Sequence, residues 1–162
     1  MSYSIKLFGL ALILVSAWLA GVGYSSYRKR RLSEIKGFVQ LITYIEKRVT
    51  LFLSTQRQML VGYEDESISS FIGEVTAGKT FFDAFSSVKG KMWLSEEMKE
   101  KLSDFFFEFG KSYRDSELKR IEMFKKEIIE IQNREEEETP GKIKLLYTLL
   151  FALALSVVIF LL

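Results

Sequence analysis

Two uncharged apolar runs bracket the sequence, and between them apolar residues recur at three- and four-residue steps. The runs are Leu7–Tyr24 and Leu145–Leu162, eighteen residues each. At a helical rise of about 1.5 Å per residue, each is roughly 27 Å long, close to the hydrocarbon thickness of a bilayer. In the second run thirteen residues are Leu, Ile, Phe or Val. Each contributes about −0.3 to −0.6 kcal/mol at the membrane centre. Thr148 and Ser156 can bond back to their own helix, and Lys142 and Lys144 stand at the headgroup end. A helix apolar on every side otherwise needs a large protein around it, which 162 residues cannot supply.

The first run competes with a cleaved signal peptide. Only Lys6 precedes it, whereas Arg28, Lys29, Arg30 and Arg31 follow, and the bulky Trp18 and Leu19 spoil a small-residue cleavage site near Ala20. The pattern predicts a second membrane span. Its Gly9, Ala11, Ala17, Ala20, Gly21 and Gly23 would let another helix approach closely. The basic flanks place the central segment in the cytoplasm and both termini outside.

From Ser25 the pattern is helical. Leu32, Ile35, Val39, Ile42, Ile45, Val49 and Phe52 share one face, with Gly37 as a weak point or a close approach. Gly62–Ser67 reads as a polar loop. Ile68, Phe71, Ile72 and Val75 resume the helical step up to a stop at Gly78. Thr80 caps the next helix, with Asp83 in a capping-box relation, and Phe81, Phe82 and Phe85 follow. After a turn at Lys89–Lys91, Ser95 caps a helix with Met98, Leu102, Phe105, Phe106 and Phe109 inside and Gly110 as a stop or a bend. A last helix carries Leu118, Ile121, Phe124, Ile128 and Ile131. The Glu135–Glu138 run and Pro140 predict a hinge before the second span, as a solvated linker or an acidic docking surface.

The expected fold is therefore all-α: an N-terminal membrane helix (1–24), a cytoplasmic helical bundle (25–142) and a C-terminal membrane helix (143–162). Composition narrows the chemistry. There is no His and no Cys, which removes the usual residues for zinc sites, thiol redox chemistry and Cys or Ser–His catalysis. No cofactor and no metal site is expected. The central segment holds 21 basic and 21 acidic side chains. That balance, without a basic stripe, argues against nucleic acid as a partner.

One motif points elsewhere. Gly73-Glu-Val-Thr-Ala-Gly-Lys-Thr80 matches the phosphate-binding pattern G-x-x-x-x-G-K-[ST]. A phosphate loop needs a buried strand before it and alternating strands around it. Here the preceding residues are helical in period, and a helix stop followed by a cap accounts for Gly78 and Thr80. Nucleotide binding is the disfavoured alternative.

The order of these features resembles the stage III sporulation protein AB family of spore-forming bacteria. The likeness rests on the terminal span with basic residues after it and on the helix Leu32–Val49, with Ile45-Glu46 placed like that family's Leu-Glu pair. It continues through the Phe105-Phe-Phe-Glu-Phe-Gly110 step, Asp115, the charged helix through Lys119, Phe124 and Ile128, and the C-terminal membrane helix. Gly78-Lys-Thr-Phe-Phe-Asp-Ala-Phe85 is similar to a helix-turn-helix of type II secretion F proteins. Thr55-Gln-Arg departs from the family's usual Thr-Pro-Leu, the second span lacks the family's usual glycines, and the Glu run and Pro140 are additions.

The resemblance implies a non-enzymatic platform in a secretion-like channel between mother cell and forespore, in the mother-cell membrane around the forespore. Its partners would be membrane lipid, other channel subunits and a secretion-type ATPase like stage III sporulation protein AA. A platform or adaptor outside sporulation is the alternative. The secretion F proteins carry two such domains and this chain has room for one, so a homo-oligomer is expected. The polar loops remote from the tethered end would meet the ATPase, with Glu64, Asp65, Glu66, Lys89 and Lys91 as candidate contact residues.

Overall fold

The computed structural model describes residues 3–51 and 56–161, with side chains described from Phe8 onward except at 10, 50, 51, 158, 160 and 161. Lys6, Phe52, Thr55 and Leu162, all used in the sequence argument, lie outside the described side chains. Among the described residues every regular element is helical: α1 (Tyr3–Leu51), α2 (Gln56–Met59), α3 (Ser69–Thr76), α4 (Phe81–Val88), α5 (Glu96–Glu108) and α6 (Arg114–Leu161). Short 3-10 turns cover Glu66–Ile68 and Lys89–Lys91. The chain divides into two compact units, Arg30–Arg134 and the pair Met1–Lys29 with Glu135–Leu162. α1 and α6 each contribute to both.

The Arg30–Arg134 unit is organised around phenylalanine. Phe38 on α1 lies 5.6 Å from Phe71 (α3), 5.7 Å from Phe85 (α4) and 6.2 Å from Phe106 (α5), centroid to centroid. Phe106 stacks on Phe71 at 5.2 Å, and Phe105 stacks on Phe124 of α6 at 4.2 Å. Such pairs add to the burial of large apolar surfaces. Ile35, Ile42 and Ile45 are fully buried, as their spacing predicts, and so are Phe38 and Leu41, which widen the stripe beyond the expected face. Cross-helix ion pairs tie the rim: Glu46 to Lys125 and Lys101 to Glu127.

Local chemistry fixes the element ends. Gly78 has φ +109° and Gly110 φ +82°, the left-handed region where a Cβ is costly. Thr80 Oγ1 accepts the N–H of Asp83 (3.1 Å), and Ser95 Oγ accepts that of Met98 (3.3 Å). These satisfy first-turn donors that have no partner within the helix. Gly37 is a close approach: a Cβ there would run into Ser67 Oγ and lie 3.1 Å from Ile68 Cγ2.

The other unit pairs the ends of α1 and α6. A Cβ at Gly21 would overlap the Tyr147 ring, at 2.8 Å from Cζ, so the small residue lets that ring in. Gly9 and Gly23 have open space instead. Ala154 is buried, and Thr148 Oγ1 and Ser156 Oγ donate back to the carbonyls of Lys144 and Ala152, both at 2.9 Å.

One expectation fails here. No hinge separates Ile131 from the C-terminal run, because α6 continues through Pro140 as a single helix. Proline removes one N–H and crowds the carbonyl four residues back. Pro140 is on the exposed side, where water can reach the freed Glu136 carbonyl. The Glu run is likewise not a linker, and of its four carboxylates Glu137 and Glu138 are exposed. It is helical, Glu135 is buried against Arg28, and Glu138 pairs with Lys142.

Candidate functional site

The residues expected to meet a partner divide by role. Glu64 and Glu66 are exposed. Asp65 is a structural cap: its Oδ1 accepts the N–H of Ser67 (2.9 Å) and its hydroxyl (2.5 Å). The loop lies along the flank of α1, since the Tyr63 ring is 4.7 Å from that of Tyr44 and Ser67 rests on Gly37. Lys91 is exposed and Lys89 half-buried on the second 3-10 turn. Just beyond it, the N–H of Trp93 donates to Glu34 Oε2 at 2.7 Å. Both loops thus attach to the Arg30 end of the α1 stretch in this unit, at Gly37 and Glu34, which corrects the expectation that they lie remote from the tethered end. The opposite end is formed around Gln56, whose Oε1 accepts the N–H of Phe81 at 2.7 Å.

The octapeptide Gly73–Thr80 is not a phosphate loop. Gly73–Thr76 is the last turn of α3, Thr80 is the cap of α4, and Lys79 is spent on Glu74 at 2.5 Å. Among the described residues there is no strand to precede it, and no group of three His, Cys, Asp or Glu is placed to hold a metal.

Buried charge is concentrated in three places. Burial pushes the Glu34 carboxyl above its ordinary value, against the N–H groups of Trp93 and Leu94 and the charge of Lys99, which pull it down. Glu117, 4% exposed, accepts from Gly110 N–H (3.3 Å) and from Arg120 (2.5 Å), joining the end of α5 to the start of α6. Arg28, 5% exposed, bonds Glu135 at 2.9 Å and Thr139 Oγ1 at 3.3 Å. Glu34 and the Arg28–Glu135 pair were not among the residues that the sequence pattern singled out. Glu34 carried a signal, a lone carboxylate four residues before Phe38 on the buried face. The Arg28–Glu135 pair carried none.

The outer surface of the α1–α6 end pair is apolar. Phe8, Leu12, Val15, Trp18 and Leu19 on α1, and Leu145, Leu149, Phe151, Leu153 and Ile159 on α6, are each at least half exposed. By length and composition α6 is long and apolar enough to cross a membrane, and almost none of its apolar stretch is buried.

A family model for stage III sporulation protein AB matches residues 6–162. The chain belongs to that family. Searches of curated proteins and of solved structures gave no match. Membership makes this a stage III sporulation protein, and the match extends across both apolar runs and the Phe-rich unit. Within the matched stretch Ile45 is fully buried and Glu46 pairs with Lys125.

Proposed function

We propose that this chain is a membrane-anchored, non-enzymatic platform of the sporulation machinery that joins a secretion-type ATPase to a channel between mother cell and forespore. The observation that carries it is the contrast between the two units. One has a closed Phe core, and its buried charges are engaged in structural contacts. The other exposes apolar side chains along both helices, as lipid-facing segments do. Both apolar runs span the bilayer, with Arg30–Arg134 in the cytoplasm, consistent with Arg28–Arg31 and Lys142 on that side. The protein resides in the mother-cell membrane around the forespore, as a homo-oligomer with other channel subunits.

Glu64 and Glu66 are the exposed charges offered to the ATPase, since Asp65 is committed to its cap. Complementary charge mainly raises encounter rate and selects the partner. The test is co-purification of the full chain in detergent with a secretion-type ATPase like stage III sporulation protein AA, at low and high salt. Capture that weakens with salt and is lost in Glu64→Lys/Glu66→Lys is expected. Absence of capture by the unaltered chain contradicts the platform role. Unchanged capture by the variant removes this loop from the interface.

A further inference from the structure

Trp93 is displayed rather than packed. Its neighbours Met92 and Leu94 are buried, at 8% and 4% exposure, while Trp93 is 42% exposed. The turn that carries it is pinned twice. Met92 N–H donates to the Lys89 carbonyl at 3.3 Å, and Trp93 N–H donates to buried Glu34 at 2.7 Å. The guanidinium of Arg30 lies 5.7 Å from the centre of the Trp93 ring. Lys91 is exposed two residues earlier and Lys89 half-exposed. Glu96, Glu100 and Asp104 of α5 line one hollow with Lys89, where Glu96 is drawn to Lys99 at 2.9 Å; Lys91, Trp93 and Arg30 lie outside that lining.

Arg30 follows Tyr24, the end of the first apolar run, by six residues on the same helix. At about 1.5 Å per residue that is roughly 9 Å. The headgroup layer on each side of a bilayer is about 5–8 Å deep, and a long arginine side chain covers the remainder. An indole beside a guanidinium, with two lysines on the same turn, combines an aromatic ring suited to the membrane interface with cations suited to anionic headgroups.

We propose that Arg30 and the Lys89–Trp93 turn form a second membrane contact, with Trp93 seated at the interface among anionic phospholipid headgroups. It rests on the membrane reading above. The contact would leave the other faces of the Phe-rich unit to protein partners.

The chain has two tryptophans, so Trp18→Phe isolates Trp93 and Trp93→Phe isolates Trp18. Each full-length variant is reconstituted in phosphatidylcholine vesicles with and without phosphatidylglycerol, using lipids brominated near the headgroup or deep in the acyl chain. In anionic vesicles Trp93 should be quenched about twofold more by shallow than by deep bromine, and it should lose about half of its acrylamide accessibility relative to neutral vesicles. Trp18 should be quenched by deep bromine in both. Arg30→Glu/Lys89→Glu/Lys91→Glu should abolish the lipid dependence at Trp93 and leave Trp18 unchanged. If Trp18 is quenched and Trp93 stays accessible in anionic vesicles, the contact is refuted and the spans stand. If Trp18 escapes deep quenching, the membrane reading fails and takes the contact with it. Protection of Trp93 that ignores lipid charge and rises with protein-to-lipid ratio assigns the surface to a second copy and also overturns the proposal.

Discussion

Glu34 and Trp93 are 59 residues apart in sequence and meet in one hydrogen bond of 2.7 Å between a buried carboxylate and a backbone N–H. The bond anchors the Lys89–Trp93 turn to α1, and it places an acid where burial disfavours its charge. The Glu34 carboxyl is raised above 4.5. The folded chain therefore keeps a proton that the unfolded chain releases. Stability contributed at Glu34 is full below the ordinary glutamate value and declines as pH rises through the raised one.

Glu34→Gln keeps an acceptor and removes the titration. It should be at least as stable as the parent at neutral pH, and its advantage should vanish as pH falls below the ordinary glutamate range. Glu34→Leu leaves the Trp93 N–H without this acceptor and should lose about 1–3 kcal/mol. Thermal melts of the purified full chain in detergent, followed by helical circular dichroism across that pH range, read both. A Glu34→Gln variant that parallels the parent at every pH would show that Glu34 does not titrate as described.

Phe106 and Phe107 are adjacent and should behave oppositely. Phe106 is 2% exposed, with rings of Phe38, Phe71, Phe81, Phe85 and Phe105 around it. Its truncation to Ala should cost about 3–5 kcal/mol, a large share of the stability of a small domain. Phe107 is 51% exposed, edge-on to Phe82 and capped by Lys111. Phe107→Ala should cost less than about 1 kcal/mol. The same melts compare the two variants.

The difference between those neighbours was legible in the sequence, because Phe106 continues the spacing of Met98, Leu102, Phe105 and Phe109. The stops at Gly78 and Gly110 and the caps at Thr80 and Ser95 were legible for the same reason: each acts within one turn of its own position. Phe38 and Leu41 were passed over because an apolar stripe traced at single positions is narrower than the face a helix buries in a multi-helix core. Pro140 misled because its local cost was weighed without its exposed setting. The Glu run misled because the partner of Glu135, Arg28, lies across the chain. Asp65 was identified as a charge offered outward, but its carboxylate closes the cap over Gly37. The helical period that runs into the Gly73–Thr80 octapeptide is that of α3, which extends to Thr76.

Arg28 and Glu135 test a different energetic rule. Removing one member of a buried ion pair leaves an uncompensated charge, at a cost of about 3–5 kcal/mol, whereas replacing both with apolar residues is often close to neutral. Arg28→Leu alone should lower the melting temperature and the amount of full-length protein recovered. Arg28→Leu/Glu135→Leu should restore most of both. A double variant as impaired as the single one would mean that the Arg28 bond to Thr139, or lost packing, dominates.

The central claim is a cytoplasmic Phe-rich unit held to the membrane by apolar helices, and the absence of cysteine from the chain makes it directly measurable. Tyr113 is 92% exposed at the junction of α5 and α6, so Tyr113→Cys supplies a reporter that disturbs little. Intact cells carrying this variant are treated with a membrane-impermeant maleimide, before and after permeabilisation. The account predicts that the protein stays in the membrane fraction after alkaline carbonate washing and that Cys at 113 is labelled only once the membrane is opened. Labelling in intact cells, or release of the protein by the wash, would contradict it.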